Sequence, residues 1–191
     1  MNLAFLAAPL LVFAYGVIRI LDGLDGARGP GLAWTTGHLA FLGALAAFLV
    51  VFVHLRRLAG RDGFSTVSVA VASAGALTLF AQFVVDIVVG FVAEDHAAMR
   101  VIASDVSDNQ VVSLVLYEVG PYLFYVGLLA LVIQLAIARR VVWWASALVV
   151  VSQVLPVFDK DLIPVGALVL LAPFVVIGRQ VATPRRVSAS V

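Results

Sequence analysis

The charges of this chain lie mostly in the breaks between long apolar stretches, and the breaks are sorted by sign. Arg56, Arg57 and Arg61 follow the second stretch, Arg139 and Arg140 the fourth, and Arg179, Arg185 and Arg186 the last. The alternate breaks carry Asp22, Asp25, Glu94, Asp95, Asp105, Asp108, Asp159 and Asp161, against only Arg19, Arg28, Arg100 and Lys160. A chain that crosses a bilayer an even number of times sorts its connections in this way, because Lys and Arg are retained on the cytoplasmic side. Five or seven crossings would mix the two groups. The expectation is therefore an all-α, polytopic transmembrane helix bundle of about six spans, with both termini in the cytoplasm.

The apolar stretches have the length this requires. A helix needs about 20 mostly apolar residues to cross a bilayer, and six windows qualify: 3–21, 33–55, 64–92, 110–138, 141–158 and 162–178. Pro156, Pro164 and Pro173 make the last two the least regular. The runs lack period-2 alternation, which argues against a closed β-barrel, the other structure that satisfies its backbone in lipid. Charged residues are 12% of the chain, against about 25% in a soluble domain. The first stretch has no basic segment before it and reads as a retained span rather than a cleaved signal. Residues 1–178 form one domain, and 179–191 read as a polar cytoplasmic tail without fixed structure. Residues 93–103 suit a short surface helix over one mouth of the bundle, and Ser107 with Gln110 reads as a capping box opening the fourth span.

Composition excludes several classes. A net charge of +1 and no basic, aromatic-rich face leave nothing to hold nucleic acid. With no Cys in the chain, disulfides, thiolate metal sites and thiol chemistry are absent. No metal or other cofactor site is read from the residues. His38 and His54 lie on one helix about 160° apart, and no second span offers a partner histidine for haem.

The functional signal is polarity where lipid should forbid it. On a helical wheel, Ser68, Gly75, Thr78, Gln82 and Asp86 fall within an arc of about 80°, so this stripe of the third span must face other helices. An ionised Asp86 facing lipid would cost several kcal/mol. The fourth span carries Glu118, Tyr122 and Tyr125 at i, i+4 and i+7. Pro121 among them has no N–H for the Tyr117 carbonyl, and a kink is expected there. Gln153 and Ser146 share a face of the fifth span. By depth, Asp86, Glu118 and Gln153 fall in one layer of the outer half, with Arg19 and His38 nearby. The sequence thus predicts a cavity opening outward, lined by Arg19, His38, Gln82, Asp86, Glu118, Tyr122 and Gln153. Arg19 either snorkels to the surface or pairs with Asp86 or Glu118.

One short run carries a family likeness. Asp22-Gly23-Leu24-Asp25-Gly26-Ala27-Arg28 resembles the opening of the CDP-alcohol phosphotransferase signature, whose acids hold a metal and a diphosphate. The likeness spans seven residues, lacks two residues before the Arg, and is followed by no acids at the family's spacing. A Gly-rich turn with solvated acids is the reading taken, and no family role is carried over.

Three function classes fit these residues. The preferred one is a protein that binds or transports a small molecule or ion through an outward-facing polar pocket. The second is a membrane enzyme acting on a lipid or prenyl substrate, with Asp86 and Glu118 as acid and base. The third is a non-catalytic subunit or assembly factor. Partners in these readings are the lipid bilayer, a small-molecule, lipid or ion ligand, and a second copy or membrane-complex subunit.

Overall fold

The structure, a computed structural model, describes residues 2–182. They form helices α1 (Ala4–Asp22), α2 (Leu32–Ala59), α3 (Gly63–Val92) and α4 (His96–Asp108), then α5 (Gln110–Val112), which runs through a π-helical segment (Ser113–Val119) into α6 (Gly120–Ile137). Helix α7 (Trp143–Phe158) and a 3₁₀ turn (Lys160–Leu162) precede α8 (Ile163–Ala182). No strand occurs among the described residues. Five helical stretches are long and apolar enough to cross a membrane, and α7, at 16 residues, is a shorter sixth. The chain has the helices of a multi-pass membrane protein.

Neighbouring helices run antiparallel, as the residue pairs between them show. Asn2 meets His54 and Tyr15 meets His38 between α1 and α2. Asp86 meets Tyr117 and Ser68 meets Gln134 between α3 and the fourth span. Arg19 meets Asp161 and Phe5 meets Phe174 between α1 and α8. The helices form a ring in the order α1, α2, α3, α6, α7, α8, closed by α8 against α1, with α2 also touching α6 across it. Phe5, Phe48, Phe52, Phe124, Leu128 and Phe174 fill the centre. Outward faces are apolar, with Phe64, Val67 and Phe91 at least half exposed; a water-soluble domain seldom presents so much apolar surface.

Local chemistry sets the ends. Asp62 caps α3 by accepting from the Ser65 N–H at 2.7 Å, and this bond holds its carboxyl below the usual carboxylate range. Gly60, at φ 109°, ends α2 in the left-handed conformation that favours glycine. Asp95 caps α4. The fourth span departs from expectation at its start. Asn109 accepts from the Val111 and Val112 N–H groups, whereas Ser107 donates back to the Ser104 carbonyl inside α4. The capping box on Ser107 is therefore corrected to an Asn109 cap. The surface helix is also longer than expected, reaching Asp108. Helix α8 runs to Ala182, past the boundary drawn at 178; the rest of the tail, 183–191, lies outside the described residues.

The tightest contact joins α3 to α6. A Cβ at Gly75 would strike the backbone of Phe124, and one at Gly127 would strike the backbone of Ala72. Gly120 lies against Thr78 in the same seam. Without water to expel between helices in lipid, such close backbone approach is a main source of association. Gly75→Ala and Gly127→Ala should each lower stability by about 1–3 kcal/mol through overpacking, read as a lower melting temperature in detergent. Gly63→Ala, with open space around it, should leave melting unchanged.

Candidate functional site

One end of the ring holds a cavity of about 230 Å³ between α1, α2 and α3, with Lys160 reaching in from the turn before α8. Of the seven residues expected to line a common pocket, Arg19, His38, Gln82 and Asp86 do so. The floor is built around Asp86. Its Oδ1 accepts from the Tyr117 hydroxyl at 3.2 Å, and its Oδ2 lies 3.8 Å from His38 Nε2. The His38 ring is oriented from behind: Nδ1 donates to the Trp34 carbonyl at 2.7 Å, one turn back on α2. With Nδ1 carrying that proton, the neutral ring turns a bare Nε2 lone pair toward Asp86. Two acceptors then face each other, and the pair is comfortable only with a proton or a donor between them.

Trp34 braces this arrangement. Its Nε1 donates to the Asp86 backbone carbonyl at 2.9 Å, and its ring lies 4.1 Å from the His38 ring. Gly90 makes this possible, since a Cβ there would come within 2.6 Å of the indole. Gln82, one turn below Asp86, lines the same cavity and holds Oε1 buried without a partner. Beneath His38 an aromatic layer closes the floor toward the core. Phe41 stacks on Phe83 at 4.2 Å, and Tyr15 packs against both.

The mouth is cationic. Arg19 and Arg28 both bond to Oδ1 of Asp161, and Arg28 Nε also donates to the Arg19 carbonyl at 3.1 Å. Asp22 and Lys160 complete this rim. Arg19 therefore pairs with Asp161, 142 residues away, and not with Asp86 or Glu118. Sequence spacing offers no signal for that partner, because both residues sit at helix ends and only the ring closure brings them together. The run from Asp22 to Arg28 is the turn that folds Arg28 back over the end of α1.

Three expected residues lie elsewhere. Glu118 is exposed and accepts from Ser113 at 3.3 Å on its own segment. Tyr122 is 68% exposed. The two do share a face, as their spacing requires, but it is the outer one. The inward face of this span is marked by Gly120, Phe124 and Gly127, all buried. Tyr117, one turn before Gly120, lies on that face. The heptad spacing of the two glycines was the available signal for Tyr117, and the polar residues beside it pointed the other way. Where a kink is expected the structure has the π-helical segment, in which the Gly120 N–H bonds five residues back to Val115. Gln153 is buried but separate, against a smaller apolar cavity of about 70 Å³ beside Phe124, Tyr125 and Leu170. Neither atom of its amide has a partner, and the space fits roughly two waters.

Among the described residues, no group of three or more His, Asp or Glu side chains gathers as a metal site would require. No family model, no curated protein and no solved structure matches this chain.

The contacts of Asp86 bear on stability. In Asp86→Asn the new amide donates to His38 Nε2, so the variant should melt within about 1 kcal/mol of the parent, or above it. Asp86→Ala strands the Tyr117 hydroxyl and should lose about 1–3 kcal/mol. Thermal melting in detergent separates the two; equal losses would mean that the carboxylate itself holds the helices together.

Proposed function

We propose that this is a six-crossing membrane protein, with both chain ends in the cytoplasm, and that its cavity binds a small polar molecule or ion presented from the opposite side. The six-crossing reading rests on the antiparallel order of the helices together with the sorting of charge between their connections. At about 1.5 Å per residue, α7 spans about 24 Å, short of a typical core of about 30 Å. Its two ends nonetheless meet the two sets of connections. Exposed Trp143 and Trp144 at its start, next to Arg139 and Arg140, suit the membrane interface.

The observation that carries the binding reading is the approach of His38 Nε2 to Asp86 Oδ2, 3.8 Å apart, in a cavity of about 230 Å³. Packing between helices requires no such pair, and a ligand donor placed there satisfies both. The aromatic layer of Tyr15, Phe41 and Phe83 below the floor favours a site reached from one end over a through route. Glu118, being exposed, lies outside this pocket.

Two measurements test the proposal. A reporter placed in the 93–109 connection should be external and one in the 138–142 connection cytoplasmic; the reverse pattern would invert the cavity. Native mass spectrometry of protein gently extracted from its own membrane should release a stoichiometric small molecule. Occupancy should fall at least tenfold in Asp86→Asn and stay unchanged in Glu118→Gln and Tyr122→Phe. Equal occupancy in all three variants would sink the assignment of the cavity.

A further inference from the structure

The cavity is polarised along its depth, and this restricts what it can hold. At the floor, Asp86 Oδ2, His38 Nε2 and the buried Gln82 amide oxygen present acceptors. At the mouth, the Arg19 and Arg28 guanidinium groups share a single oxygen of Asp161. Two guanidinium groups carry ten N–H donors. Three of them are used, two on Asp161 and one on the Arg19 carbonyl. The Lys160 ammonium lines the same rim. Asp22 offsets part of this positive charge, but the rim retains unused donors where the floor retains unused acceptors.

From this arrangement, and resting on the binding reading above, we infer that the ligand is a small zwitterion, with an ammonium group held at the Asp86–His38 floor and an anionic group at the Arg28–Lys160 mouth. A lone cation would have to pass a rim where Arg19, Arg28 and Lys160 outnumber Asp22 and Asp161 by one charge. A lone anion would be stopped at the mouth by the carboxylate beneath it. A molecule carrying both charges, ammonium first, meets its complement at each level. The ammonium supplies donors to the Asp86 and His38 acceptors that face each other 3.8 Å apart. The anionic group accepts the idle donors of Arg28 and Lys160. Trp34, which also lines the cavity, adds a face on which a cation is attracted. The volume, about 230 Å³, is that of roughly eight waters at about 30 Å³ each, enough for a molecule of about eight non-hydrogen atoms. The same chemistry is found in a free metabolite and in the headgroup of a zwitterionic lipid.

Isothermal titration of the full chain in detergent, with four probes, tests the inference. Phosphoethanolamine carries both charges, ethanolamine only the cation, and inorganic phosphate only the anion. Short-chain phosphatidylethanolamine presents the same group as a lipid. Phosphoethanolamine or its lipid form should bind at least tenfold more tightly than either single-charge probe, and the tighter of the two identifies the source. Asp86→Asn should remove at least tenfold of that affinity. Lys160→Gln, an exposed position at the mouth, should bring phosphoethanolamine down to the level of ethanolamine without altering the melting temperature. Ethanolamine or phosphate binding as well as phosphoethanolamine would overturn the zwitterion assignment and leave the cavity assignment standing. If all four probes fail while mass spectrometry still finds a ligand lost in Asp86→Asn, the zwitterion reading alone falls. If both fail, both readings fall.

Discussion

The seam between α3 and α6 is the contact on which the site depends. Gly75 and Gly127 each lie against the other helix's backbone, so the two axes can approach only because both positions lack a side chain. That approach fixes the rotation of the fourth span. With Gly120 and Gly127 turned toward α3, Tyr117 comes round to Asp86, and Glu118 and Tyr122 are turned out. In an apolar solvent the seam also decides which polar groups are satisfied. A carboxylate that lost its tyrosine partner would be left with His38 3.8 Å away and Lys160 in the same cavity. Packing and site chemistry are set here by the same few glycines.

The cavity itself is assembled from three kinds of contact at three depths. Aromatic stacking of Phe41, Phe83 and Tyr15 makes a base that does not ionise. Above it, hydrogen bonds from Trp34 and Tyr117, with His38 Nε2 3.8 Å away, hold Asp86 from two helical stretches, α2 and the π-helical segment. At the mouth, shared ion pairs join the loop after α1 to the turn before α8. Each layer tolerates more water than the one below it, and each uses the interaction suited to its wetness. Ion pairs lie at the rim, where their desolvation costs least.

Much of the fold was legible because lipid leaves so few alternatives. Long apolar runs must be helices, and the observed elements start and stop close to where charge bounds the runs, while Pro9, Pro156 and Pro173 lie inside helices. The stripe from Ser68 to Asp86 faces other helices, as a wheel of 100° per residue predicts, since α3 is regular throughout. The same wheel fails on the fourth span for a physical reason. It orders residues around a helix but does not say which side is inward, and Glu118 and Tyr122 looked like the answer because they are polar. Small residues report packing more reliably than polar ones at such a seam. Gln153 fails differently: its spacing along the chain does not say where around the ring its helix lies. Arg19 and Asp161 show the same limit, since nothing local to either residue names the other.

The pairing of Arg19 with Asp161 also orders events during synthesis. Arg19 is made with the first helix, yet its partner follows 142 residues later. At roughly 5–20 residues per second, about 7–30 s separate the two. Over that interval the guanidinium must stay at the water interface, and the ring has neither α8 nor Lys160. The mouth of the cavity is thus completed only when α8 docks against α1.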